Sequence, residues 1–179
     1  MKIIHQNGTE TYALHEEFQA SLFQPIAKYV EWKLRNDWDD YNELYHAIRF
    51  IENIKKKPGI WFHIHTIKRD GEIIGVLTVV GGKIKEVEKH LPQEEEKTVL
   101  LKYFHIADKG KGYGGYWLNH VLIPYYADLG FEYIQVSSSH PKSFSFYGKL
   151  GAEISSSEKE SDNHLFKRQV KAFLISICR

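Results

Sequence analysis

Leu100 to Leu122 reads LLKYFHIADKGKGYGGYWLNHVL, and it changes character twice. Val99 to Ile106 is an apolar run rich in β-formers and predicts a strand that stops at Ala107-Asp108. Lys109-Gly110-Lys111-Gly112-Tyr113-Gly114-Gly115 is a glycine-rich turn. From Gly112 onward Leu118, Val121, Leu122, Tyr125 and Leu129 recur at spacings that line one helix face, and Gly130 suits the C-terminal end. Strand, glycine turn and helix in that order leave backbone N–H groups without intrahelical partners, at the end where the helix dipole is positive. Such a turn is an anion site. Lys109 and Lys111 add charge for a phosphate, and the glycines let an anion approach the backbone closely. A plain strand-to-helix turn needs one glycine; four within six positions, accompanied by two lysines, fit phosphate binding better.

The identity of the phosphate is narrowed by what is missing. Gly110, Gly112 and Gly115 fit G-x-G-x-x-G, but a dinucleotide fold expects an acid at the end of the next strand to hold a ribose. That strand, Phe131 to Val136, runs into Gln135-Val136-Ser137-Ser138 and carries no acid. A Walker loop needs Gly-Lys-Ser/Thr, which is absent, and a kinase glycine loop joins two strands, whereas a helix follows here.

Lys109-Gly110-Lys111-Gly112-Tyr113-Gly114 resembles the R/Q-x-x-G-x-G/A pyrophosphate loop of the GNAT superfamily of N-acetyltransferases. Downstream, Val136 to Ala152 is similar to the family's strand, helix and Tyr-x-Lys-x-Gly-Phe/Ala ending, here Tyr147-Gly148-Lys149-Leu150-Gly151-Ala152. Upstream, Asp70-Gly71-Glu72-Ile73-Ile74-Gly75-Val76 resembles its central hairpin. The likeness covers roughly Trp61 to Ile154. Lys109 stands where Arg or Gln is usual, and Ser139-His140 where an Asn is common. The resemblance implies a mixed α/β (acyl-CoA N-acyltransferase) fold, with a mostly antiparallel sheet, one parallel βαβ crossover and flanking helices. It implies acetyl transfer from acetyl-CoA to an amine, without a metal. Lys109, Gly110, Lys111, Gly112, Tyr113 and Gly114 would hold the pyrophosphate. Backbone groups of Phe104 and Ile106, with His105 between them, would line the pantetheine arm; Ser139 and Ser143 are candidates for contacting pantetheine or phosphate, Ser143 equally for a small packing residue. The two N-terminal helices and the loop around Asp37 would form the acceptor-side wall, with Trp38, Tyr41 and Tyr45 as candidates for it or for the core.

Amine acetylation requires that the amine lose a proton, the carbonyl oxygen be polarised and the leaving thiolate be protonated. Tyr147 stands where the family places a tyrosine beside the thioester sulfur, and a phenol with a pKa near ~10 can donate to a thiolate. His105, near the end of the pivotal strand, is the candidate base, directly or through water; Tyr103 would share its face by strand alternation. His63 and His65 have His-x-His spacing, but two histidines do not make a zinc site. Cys178, next to the chain end, is a poor nucleophile candidate. A non-catalytic CoA-binding sensor or scaffold, and a nucleotide-dependent enzyme using the same turn, are the competing readings.

The rest of the chain is read as one domain over residues 1–179, long enough for a sizeable core. A net charge of +1 argues against nucleic acid. One cysteine excludes an internal disulfide, and Met1-Lys2-Ile3-Ile4 has no signal-peptide pattern, so a cytoplasmic enzyme is expected, with no membrane contact. Its partner would be a small-molecule or peptide amine; a homodimer is left open. Lys2 to His5 predicts a strand before an Asn7-Gly8 turn. Ala13 to Arg35 reads as helix, kinked or divided at Pro25. Asp37 would cap a second helix carrying Leu44, Ile48, Ile51 and Ile54, stopped by Pro58-Gly59. Trp61 to Lys68 and Glu72 to Val80 form a hairpin, broken off by Gly81-Gly82. Ile84 to His90 reads as a short helix and Leu91 to Lys97 as an acidic loop. Pro141 opens a helix ending near Leu150-Gly151. Ala152 to Ser156 and Val170 to Cys178 would pair last, with Ser155 to Asn163 as loop.

Overall fold

The computed structural model describes residues 1–37 and 40–178. Strands β1 (Lys2–Asn7) and β2 (Glu10–His15) open the chain, followed by helices α1 (Gln24–Arg35) and α2 (Glu43–Ile54). Strands β3 (Ile60–Arg69), β4 (Glu72–Gly82) and β5 (Thr98–Ile106) come next. The pivotal helix runs from α3 (Tyr113–Tyr116) through a π-helical stretch, Trp117–Leu122, into α4 (Ile123–Asp128). Strand β6 (Tyr133–Ser138), helix α5 (Pro141–Gly148) and strands β7 (Ala152–Glu160) and β8 (Lys167–Ser176) complete it. Among the described residues eight strands form one sheet in the order β1-β2-β3-β4-β5-β6-β8-β7, antiparallel except for β5 beside β6. This is the mixed, mostly antiparallel α/β fold with one parallel crossover that the sequence implied.

Helices cover both faces. Trp117, Leu118, Val121, Leu122 and Tyr126 pack on Leu77, Val79, Val99 and Leu101 on one side. On the other, Ile26 and Val30 of α1 and Ala47 and Ile51 of α2 pack on Ile64 and Val76. No helix among the described residues is long and apolar enough to cross a membrane.

Local reading fails at identifiable places. Ala13 to His15 belong to β2, because Leu14 and His15 pair with His65 and Ile64 of β3 and the sheet outweighs helical spacing. The later part of that helical stretch is divided at Pro25 and not kinked: a 3-10 turn, Ala20–Phe23, precedes α1, and Pro25 sits in the first turn of α1, where its missing N–H costs nothing. The cap of α2 is Asn42, whose Oδ1 accepts from Tyr45 N at 2.9 Å, not Asp37. Gly81 does not break β4; Trp61 lies against it so closely that a Cβ would sit 2.1 Å from the indole. Only Ile84–Glu86 of the expected short helix forms, as a single 3-10 turn. The expected loop from Ser155 is strand as far as Glu160, paired with Lys167. The π-helical stretch precedes Pro124, which has no N–H to complete an α-helical ladder, so the wider turns absorb the defect.

His63 and His65 face the pivotal helix and share one group, the Tyr126 hydroxyl, at 3.0 and 2.7 Å. One hydroxyl can donate to only one ring, so the other imidazole donates to it. Burial holds His15, His63 and His65 below the usual histidine range. The unfolded chain takes up protons below pH ~6.5 that these folded groups refuse. Stability is therefore flat above that pH and falls as pH drops from it toward the folded values. The urea midpoint at pH 5.5 is expected below that at pH 7.5. Tyr126→Phe leaves both rings without their partner and costs about 1–3 kcal/mol at neutral pH, read from the same midpoint.

Candidate active site

The site begins with an irregularity in β5. Lys102 pairs with Thr78 and His105 with Val76, so two residues of β5 oppose Leu77 alone. This is a β-bulge, and Tyr103 takes φ 52° within it, a costly conformation for a bulky side chain. The Tyr103 hydroxyl donates to the His46 carbonyl of α2 at 3.0 Å, and its ring lies 5.9 Å from Phe50. The bulge resets the alternation. Leu101, Phe104 and Ile106 pack toward the pivotal helix, while Tyr103 and His105 face α1 and α2. Without the extra residue His105 would lie on the Leu101 face.

Beyond Leu101 and Val136 the parallel pair β5–β6 ends, and the two strands separate. Backbone groups alternate between strand edges, and Ala107 N donates to Ile74 O on the β4 side. The groups of Phe104 and Ile106 therefore face the edge that β6 has left. A cleft of about 680 Å³ opens there, lined by Phe104, His105, Ile106, Tyr147 and the glycine turn.

Gly110 and Gly112 have φ of 78° and 81°, which side chains resist, and a Cβ on either would meet nothing within 4 Å. The amides of Gly110, Lys111 and Gly112 donate to no described acceptor. Those of Tyr113, Gly114 and Gly115 open the helix, whose first bond is Tyr116 N to Gly112 O at 3.0 Å. The turn is thus an open concavity of N–H groups, the form that receives anions. Arg69 of β3 clamps its two ends: it donates to Asp108 Oδ2 at 2.5 Å and to the Tyr113 hydroxyl at 2.7 Å. No local pattern marks Arg69, and sequence reading missed it.

Tyr147, on α5, is buried at the base of the cleft against Phe146 and Phe173. Burial pushes its phenol well above the usual range, so it stays protonated. The His105 ring packs tilted against Tyr29 of α1 at 4.8 Å between centroids, and burial, then the charges of Lys109 and Lys33, pull it down to about 4. Ser139 and Ser143 both line the cleft, but the Ser143 hydroxyl lies 2.8 Å from both Ser138 Oγ and His140 O. Lys109 lines the cleft with its ammonium over the Tyr29 ring, 3.9 Å from the centroid. Lys111 is not part of the wall; it points outward, 63% exposed, 3.5 Å from Asp108.

The far end of the cleft is built by Ile26 and Tyr29 of α1, by Tyr41 and Glu43, and by Lys159, Arg168 and Val170 of the β7–β8 hairpin. Glu43 and the hairpin residues carry no local motif. Of the expected acceptor-side aromatics, Tyr41 is there; Tyr45 is half exposed on α2, its hydroxyl 2.9 Å from Arg49. Trp38 lies outside the described residues. Among those residues no three metal-ligating side chains come together.

No protein-family profile and no curated protein matches the sequence. Solved structures do match it over nearly the whole chain. The ribosomal L7/L12 α-N-protein acetyltransferase RimL is 12% identical, with a TM-score of 0.63 over 98% of this chain and 94% of that one. The ribosomal-protein-S18-alanine N-acetyltransferase of Escherichia coli is 12% identical, with a TM-score of 0.59 over 94% and 95%. The spermidine N-acetyltransferase of Vibrio cholerae, solved with CoA and spermine, is 15% identical, with a TM-score of 0.58 over 95% and 96%. Bulged strand, splayed parallel pair and open glycine turn thus sit in the frame that these enzymes share: the chain has the acyl-CoA N-acyltransferase fold of the GNAT superfamily.

Proposed function

We propose that this chain, as one catalytic domain, transfers the acetyl group of acetyl-CoA to a primary amine by direct attack of the amine on the thioester. The observation that carries this reading is the meeting of three features in one cleft: the open amides at Gly110 to Gly115, the free edge of β5 at Phe104 and Ile106, and the buried phenol of Tyr147. The amides take the diphosphate, and the β5 edge takes the pantetheine amides as an added strand would. Acetyl-CoA supplies the activated acyl group. Tyr147 protonates the departing sulfur.

His105 is neutral throughout the physiological range, because a base titrating near 4 holds no proton at pH 7. Full transfer from an ammonium of pKa ~10 to such a base is uphill by about 8 kcal/mol. His105 therefore does not strip the free acceptor. It accepts a hydrogen bond from an amine that arrives neutral, and takes the proton only as the new bond makes the nitrogen acidic. The acid limb of kcat/KM then reports the acceptor ammonium, and no limb from His105 is expected above pH ~5.

Calorimetry with CoA, followed by thiol release from acetyl-CoA over a panel of amines, tests the proposal. Micromolar CoA binding with amine-dependent turnover supports it. CoA binding without turnover on any amine favours a non-catalytic sensor, and no CoA binding refutes both.

A further inference from the structure

The glycine turn and Tyr147 account for one end of the cleft. The other end has its own chemistry. Lys109 Nζ lies 3.9 Å from the Tyr29 ring centroid, and Lys159 Nζ lies 4.8 Å from that of Tyr41. Beneath them Lys33, 1% exposed, has its ammonium 5.1 and 5.8 Å from the same two rings. Three ammonium groups thus converge on one aromatic wall.

The acids nearby are already engaged. Glu43 holds Lys33 at 2.7 and 2.8 Å, Asp40 holds Arg168, Asp162 lies 2.8 Å from the His46 ring, Glu88 holds Lys102 at 3.4 Å, and Asp108 holds Arg69 at 2.5 Å. Among the described residues Lys109 and Lys159 make no ion pair, although both face the cleft. Partial burial, with neighbouring cations and against the opposing pull of Glu43 on Lys109 and of Asp162 on Lys159, holds both ammonium groups below the usual lysine range.

We propose that the acceptor is an amine that also carries a carboxylate or an equivalent anion, held between Lys109 and Lys159, with its body against Tyr29 and Tyr41. This rests on the acetyltransferase reading and narrows its substrate class. An anion placed there relieves the crowding of cations that the cleft otherwise carries. Burial, the main cause of the low His105 value, likewise disfavours an ammonium beside the imidazole, so the amine reacts in its neutral form and a strong base is unnecessary. A polyamine would bring further positive charge into a cationic cleft, so the spermine-bound neighbour is a guide to the fold and not to the acceptor.

The test pairs each amino acid with its decarboxylated twin: phenylalanine with phenethylamine, tyrosine with tyramine, leucine with isoamylamine, with spermidine added. Rates are expressed per neutral amine, which removes the difference in amine pKa. In the wild type kcat/KM for the carboxylate member exceeds that of its twin by about tenfold or more. In Lys159→Gln and in Lys109→Gln the ratio collapses toward one. CoA binding is measured on the same samples by calorimetry. If CoA does not bind, the acetyltransferase reading falls and takes this one with it. If CoA binds and the twins or spermidine react as well as the carboxylates, this proposal alone is overturned. If CoA binds and no amine reacts, the acetyltransferase reading gives way to the non-catalytic sensor and this proposal falls with it.

Discussion

Tyr147→Phe is expected to lower kcat for acetyl transfer by about 100-fold or more, the usual worth of a positioned general acid. The substitution removes one oxygen and leaves the ring between Phe146 and Phe173, so the fold persists. The KM for acetyl-CoA should change little, since in the proposed mechanism the phenol acts on the leaving sulfur and not on the diphosphate. Burial keeps the phenol protonated far above neutrality, so the deficit should hold from pH 6 to pH 9, with no alkaline limb from this group. Initial rates of thiol release over that range provide the measurement. An unchanged kcat would make Tyr147 a core tyrosine and leave sulfur protonation to water.

The second large effect is a loss of cofactor binding without loss of fold. Gly115 is the third residue of the helix, its φ is not positive, and a Cβ there would meet nothing within 4 Å. Gly115→Asp therefore places a carboxylate among the amides that the proposal assigns to the diphosphate. The new charge completes the helix end and stabilises the fold by about 0.3–1 kcal/mol. It also repels the diphosphate, and the Kd for CoA should rise about 100-fold or more, roughly 2.7 kcal/mol. Gly115→Ala separates charge from bulk and should bind CoA far better than the aspartate variant. Calorimetry for binding and thermal melting for stability give the two readouts. Wild-type affinity in Gly115→Asp would mean that these amides do not hold the ligand.

Much of the cleft around the glycine turn was legible because it is encoded locally. Glycines at positions 110 and 112 permit positive φ, and the leucines and valine after them announce a helix. The N-terminal half was read less well, although one signal was present. Asn7-Gly8 lies between two short runs, and that dipeptide is a hairpin marker; β1 and β2 pair across it. Helical spacing from Ala13 onward competes with that signal in the sequence. In the protein β3 supplies hydrogen-bond partners that a local pattern cannot represent.

Three features of the site came only from the assembled chain. The bulge that turns His105 toward α1 follows from the register of β4 against β5. The neutrality of His105 comes from burial under Tyr29 and from lysines at positions 33 and 109. The cationic, aromatic far wall draws on residues from positions 29 to 168, far apart in sequence.

The sequence by itself determined where the backbone offers its amides, because φ preferences and helix ends depend on neighbouring residues. The tertiary structure alone decided what charge surrounds His105, because burial and like-charge crowding exist only once distant segments share a low-dielectric cleft.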